Sequence, residues 1–310
     1  MKPCAGLSVD VDSIATHLQG YGYRVPGDDG LVYEQALPRM LKLFRALGAR
    51  ATFFVVVEEA LRYPDLIRQI VAEGHEVACH SLTHPAGIHR LGEAHLYDEI
   101  VYARSVLEQL TGRSVVGFRS PSWYLTDSIL ACIAEAGYWY DATAYPSPLL
   151  VAARLEIRRR GRERERAFEG WHPLWEQVFG RRAPYLVHTE RGSFLELPIT
   201  VLTPLRIPFY HTLRWVLPRS IWSWMRRSLD RVGYVTYVLH AVDFLGADVD
   251  PIDKRLLVHP GMRLPLGYKL REARRVLEHE LGAYRLIPLG ELPLLQLIRM
   301  REQLQREVVT

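Results

Sequence analysis

The feature that most constrains this chain is a rhythm: in its first 140 residues, short apolar runs alternate four times with stretches of helical apolar spacing. A helix between two strands returns the chain to the same end of the sheet, so the alternation predicts a parallel sheet or barrel. Ala5 to Val11 reads as a strand, and Tyr33 to Leu47 as a helix stopped by Gly48. Ala51 to Val57 is a strand, Pro64 opens a helix through Ala72, and His75 to Cys79 is the next strand. Tyr97 to Leu110, Val115 to Phe118, Asp127 to Ala136 and Tyr138 to Ala142 continue the pattern. After Gly233 it resumes with strand Tyr234 to Leu239, helix Tyr268 to Leu281, strand Tyr284 to Ile287 and a last helix after Gly290.

Between Val151 and Gly233 the rhythm breaks. Arg154 to Arg166 holds seven arginines and three glutamates, and Trp171 to Trp224 holds five of the seven tryptophans. The expectation is one domain over residues 1–310 with an insertion at 151–233. Within it, Phe209, Tyr210, Trp215, Ile221, Trp222, Trp224 and Met225 interleave with arginines, the pattern either of a basic, aromatic, interfacial helix pair or of aromatics packed on the barrel.

Composition excludes several classes. With 48% hydrophobic and 24% charged residues the chain can bury a sizeable core. A formal charge of +4, from 39 basic and 35 acidic residues, is too weak for a dedicated nucleic-acid binder, so no nucleic-acid partner is expected. Three cysteines without a CxxC pair give neither a disulfide framework nor a zinc ribbon, which fits a reducing compartment. The opening MKPCAGLSVDVDS reaches acidic residues too early for a signal peptide, so the expected location is cytoplasmic, with peripheral contact at the inner membrane face as a further expectation.

Strand alternation puts Ser8, Asp10 and Asp12 on one face, opposite Leu7, Val9 and Val11. Two carboxylates at a strand's C-terminal end sit where barrels keep their chemistry. His80 and His84, in HSLTH after another strand, can aim at one cation, and Cys79 falls on the opposite face. Two imidazoles and one carboxylate leave positions open for water and substrate, as in a catalytic rather than a structural site. Asp12, His80 and His84 could supply that set, with Asp10 beside it as a base. Arg119, before Pro121, and His240, at the end of a late strand, complete the candidates. His211 and His259 read equally well as surface histidines.

Taken in order, these pieces resemble the polysaccharide deacetylase (NodB-homology) family, carbohydrate esterase family 4. Its first motif matches SVDVD at Ser8 to Asp12, in the branch whose base and metal aspartates are two apart. Its second matches HSLTH at His80 to His84, its third Arg119-Ser120-Pro121, its fourth Asp141 in YDATAYP, and its fifth Leu239-His240. Phe194 to Thr200 also resembles a stretch that precedes the family's last strands.

The resemblance implies an α/β fold, a distorted (β/α) barrel, and a divalent metal, zinc first with cobalt, nickel or manganese as alternatives. It implies metal ligation by Asp12, His80 and His84, with Asp10 as base and His240 as acid. Arg119 would steady Asp10, Asp141 would tune His240, and Ser122 and Trp123 would line the substrate site. The implied activity removes an acetyl or formyl group from an N-acylated amino sugar, polymeric or lipid-linked. An allantoinase-like cyclic amide hydrolase and a non-catalytic module binding sugars or lipid head groups are the alternatives.

Overall fold

The computed structural model describes residues 2–25, 27, 30–160, 177–293 and 295. Its eleven named strands are β1 (Cys4–Val11), β2 (Thr52–Val55), β3 (Glu76–Cys79), β4 (Gly117–Phe118), β5 (Tyr140–Asp141), β6 (Tyr185–Thr189), β7 (Gly192–Glu196), β8 (Val201–Leu202), β9 (Ile207–Pro208), β10 (Thr236–His240) and β11 (Arg285–Ile287). The main sheet has the order β10-β1-β2-β3-β4-β5-β7, all parallel. Antiparallel β6 lies on its far edge, and β11 runs parallel beside the start of β1.

The sheet is a curled (β/α) half-barrel whose ladder does not close. The seam between the chain after β7 and β10 is bridged by side chains: the Thr200 N–H donates to Thr236 Oγ1 at 3.0 Å, and the Thr236 N–H to Thr200 Oγ1 at 2.7 Å. A single parallel bridge, Tyr210 to Val238, continues along it.

Alternation in each strand builds two cores. Leu7, Val9, Val11, Phe53, Cys79 and Phe118 face outward under the helices, while Phe54, Ala78, Tyr140, Leu195 and Leu197 fill the barrel interior. The helix Leu37–Leu47 buries Leu37, Met40, Leu41 and Phe44 on one stripe and ends on Gly48 at φ 60°. A side chain the size of Phe44, fully buried, contributes on the order of 1.5–3 kcal/mol by leaving water. The helix Pro64–Ala72 has the bounds its sequence predicts. That predicted from Tyr97 starts a turn earlier, at Glu93, because Leu96 also lies on the buried stripe.

The stretch 151–233 is not an insertion outside the sheet. β7 pairs in parallel with β5, Tyr140 opposite Leu195 and Asp141 opposite Glu196, so the barrel runs through the middle of it. Five residues between polar turns carry little periodic signal, and the arginine run upstream hides them.

Part of the aromatic stretch packs on the barrel. Phe209, Trp222 and Met225 are buried on the barrel, with Phe209 between Trp222 (ring centroids 5.4 Å) and Tyr237 (4.8 Å). Trp171, Trp175 and the arginines from Arg162 to Arg166 lie outside the described residues, as does most of the helix expected after Gly290. Among the described residues no helix is long and apolar enough to cross a membrane.

Candidate metal centre and active site

β1 delivers Ser8, Asp10 and Asp12 to the barrel mouth, and its register with β10 sets Asp10 directly beside His240. The segment after β3 carries His80 and then folds back: Ser81 and His84 both adopt left-handed backbone, at φ 69° and 55°. Such conformations cost about 1–3 kcal/mol each in non-glycine residues. Here they are held by the His84 N–H donating to Ser81 Oγ at 2.9 Å, and by Thr83, whose N–H and hydroxyl both donate to Glu99.

The turn brings His84 back beside His80, ring centroids 4.9 Å apart. Asp12 Oδ1 lies 3.3 Å from His80 Nε2 and 3.6 Å from His84 Nε2. Two ligands on one tetrahedral ion with bonds of about 2.0–2.1 Å sit roughly 3.3–3.4 Å apart, so these spacings suit one zinc-sized cation. The His80 Nδ1–H donates to the Arg119 carbonyl at 2.7 Å, which fixes the tautomer and frees Nε2 for a metal. Asp12 Oδ1 is buried without a hydrogen bond, the kind of orphaned oxygen a cation satisfies. Burial opposes the Asp12 charge, but His84 and His80 outweigh it and hold the carboxyl well below its usual range. Burial, with His80 beside it, pushes His84 down to about 4 despite Asp12, whereas for His80 the adjacent Asp12 outweighs burial and raises it. Among the described residues this is the one group of three such side chains whose ligand atoms converge.

Beside it stands a proton-handling group. The Arg119 guanidinium donates to Asp10 Oδ1, to Ser8 Oγ at 3.1 Å and to the Ala142 carbonyl at 2.9 Å, and lies over the Phe54 ring at 4.0 Å. The other Asp10 oxygen is 3.6 Å from His240 Nε2. His240 Nδ1 is 3.2 Å from the Tyr210 hydroxyl.

Ser122 and Trp123 form a turn at the mouth with consecutive left-handed residues, φ 56° and 59°. The Trp123 indole packs on Tyr145 and on the Arg119 guanidinium. From the chain beyond β5, Gln177 Nε2 donates to the Trp123 carbonyl at 2.9 Å and Arg154 Nη2 to the Ser122 carbonyl at 3.1 Å.

Asp141 does not sit where the resemblance implies. Its Oδ1 accepts the Thr143 hydroxyl at 2.6 Å, and Thr143 Oγ1 in turn accepts the Ser120 N–H at 2.8 Å. The His240 nitrogens face Asp10 and Tyr210 instead. Through Thr143, Asp141 holds the Arg119–Pro121 loop. Glu196 is its neighbour across the ladder, and burial pushes both carboxyl groups up.

Sequence reasoning also missed Tyr210, read as interfacial, and left His211 and His259 at the surface. Both histidines are buried, and His259 stands with His17 on the His240 side of the centre. Nothing local marks these residues; the fold brings Tyr210 and His259 to the His240 side of the centre and buries His211 against Tyr237 and Trp215.

The fold and site together define an α/β half-barrel with an aspartate and two histidines converging at its mouth, a donor set that could hold one cation. Residues 27–140 match the polysaccharide deacetylase family. That span holds His80, His84 and Arg119, while Asp10, Asp12 and His240 lie outside it and are brought in by the β1–β10 register.

A peptidoglycan deacetylase of Helicobacter pylori is 31% identical over 139 residues, covering 43% of this chain and 46% of that protein. A chitooligosaccharide deacetylase of Bradyrhizobium is 38% identical over 104 residues, covering 32% and 46%. The chain thus spans about half the length of these relatives. Across nearly the whole chain, the crystal structure of a putative polysaccharide deacetylase from Mycobacterium smegmatis shares the fold, with TM-score 0.60, 19% identity and coverage of 97% and 92%. An allantoinase, Puue, shares it at TM-score 0.54 and 17% identity, covering 92% and 85%.

Proposed function

We propose that this protein is a metal-dependent hydrolase that removes an N-acyl group, acetyl or formyl, from an amino sugar. The observation that carries it is the juxtaposition of Asp10, tied to Arg119 and facing His240, with the convergent Asp12–His80–His84 donors. Asp12, His80 and His84 would hold a divalent cation, and a set of two nitrogens and one oxygen at these spacings favours zinc. When bound, the cation supplies Lewis-acid polarisation of the acyl carbonyl and lowers the pKa of water.

Asp10 takes a proton from the attacking water, and Arg119 holds that carboxylate in position. The Ser122–Trp123 turn lines the acyl side. His240 Nε2 delivers a proton to the amine as the C–N bond breaks, with its ring aimed by Tyr210 rather than by Asp141. The products are a carboxylate and a free amine.

The test is acetate or formate release from N-acylated chitooligosaccharides, peptidoglycan fragments and lipid-linked amino sugars, with and without added divalent metal. Metal-dependent release from one of them is expected. Release from none, with turnover of allantoin instead, would replace this reading by the cyclic-amide one.

A further inference from the structure

Beside the proton-handling pair lies a second polar cluster that the reaction above does not use. His17, on the helix Ile14–Gly20 that follows the metal strand, has its ring 5.9 Å from His240 and 5.0 Å from His259. His259 Nδ1 lies 3.1 Å from the Tyr21 hydroxyl, which fixes the ring and leaves Nε2 as the nitrogen available to a ligand. His17 Nε2 and His259 Nε2 are both buried, and no described protein group hydrogen-bonds either.

The chemistry of these nitrogens narrows what they take. They do not converge with a third donor as Asp12, His80 and His84 do, which argues against a second metal. Burial drives both imidazoles down to about 3, so at neutral pH they carry no charge to attract phosphate or carboxylate. A neutral imidazole offers one donor and one acceptor, the complement of an alcohol. A buried nitrogen left without a partner costs about 1–3 kcal/mol, so a ligand hydroxyl that meets it gains affinity and specificity.

We infer that His17 and His259 form a hydroxyl-binding subsite next to His240, taking ring hydroxyls of the sugar that bears the acylated amine. The substrate class rests on the deacylation reading; the hydroxyl recognition rests on the two histidines themselves.

The decisive measurement is a specificity ratio in the metal-loaded protein: kcat/KM on an N-acetylated chitooligosaccharide divided by kcat/KM on 4-nitrophenyl acetate, which has no sugar hydroxyls. The fraction of active enzyme cancels in this ratio. His17→Phe and His259→Phe, which keep a ring and remove its nitrogens, are each expected to lower the ratio about ten-fold, mainly through KM on the sugar. His259→Gln, which restores a polar group, should recover part of the loss. An unchanged ratio would overturn the subsite.

If the wild-type protein cleaves no sugar, the deacylation reading fails alone, and saturation-transfer NMR with the free oligosaccharide still decides the subsite. Binding that is lost in the double variant supports it. Binding that is equal in wild type and variant, or absent from both, overturns it.

Discussion

Binding a cation at Asp12, His80 and His84 should raise the melting temperature of this protein by an amount its size fixes in advance. A ligand present at one hundred times its Kd, and binding only the native state, adds about 2.7 kcal/mol. For 310 residues, an unfolding entropy of about 2.1 cal/mol/K per residue gives about 0.65 kcal/mol/K, so the expected rise is about 4 °C. The assay is thermal unfolding of chelator-treated protein titrated with zinc, cobalt, nickel and manganese at pH 7.5. Asp12→Asn removes the carboxylate that both imidazoles face and should cut the rise below about 1 °C. Because Asp12 raises His80 above its ordinary value, a proton competes with the metal there, and the rise should shrink as pH falls through that range. No rise with any of the four metals, or an equal rise in Asp12→Asn and His84→Gln, would refute the assignment of these ligands.

Other outcomes follow from the same geometry. Asp10→Asn should lower turnover by about 10²–10⁴-fold while retaining the metal-induced rise in melting temperature; loss of that rise would place Asp10 among the ligands. Tyr210→Phe deletes the hydroxyl that orients His240, worth about 0.5–1.5 kcal/mol, so kcat should fall roughly 2–13-fold with metal affinity intact, read from initial rates and a metal titration. Gln177→Ala releases the Trp123 carbonyl and should cost about 1 kcal/mol in urea unfolding together with a several-fold loss of kcat/KM. His211 is buried and pushed down to about 4, below the 6.5 of an unfolded histidine, so the unfolded chain binds more protons between these values and stability falls as pH drops through that window. Metal-free protein should lose about 2 kcal/mol from this group between pH 6 and 4.5, and His211→Phe should remove that part of the slope in urea titrations at the two pH values.

What the sequence disclosed is what short-range physics determines. Leu7 to Asp12 alternates, so the sharing of one face by Asp10 and Asp12 is readable without a fold, and HSLTH keeps its two histidines within one turn wherever it lies. Partners set by register or by distant loops were not readable. β7 is five residues long, with Gly192 and Ser193 exposed and only Phe194, Leu195 and Glu196 buried, so its sequence has neither the length nor the alternation that advertises a strand. Tyr210 meets His240 only because the chain after β9 runs beside β10, and Asp141 is diverted to Thr143 by its position on β5. The family resemblance points to residues that the fold gathers at the mouth, while the groups nearest His240 come from β1 and from the chain after β9.

The seam at Thr200 and Thr236 has a consequence for how the molecule keeps to itself in solution. An open parallel sheet exposes a column of amides at its edge, a template on which another chain can add a strand. Here two hydroxyls, each taking the other residue's amide hydrogen, plug that column from inside the molecule. Valine at either position has nearly the same shape and the same preference for strands, yet it would leave a buried N–H unanswered at a cost of about 1–3 kcal/mol. Such a variant would also loosen the seam at the start of β10, the strand that ends in His240, so its first symptom would be self-association rather than lost catalysis.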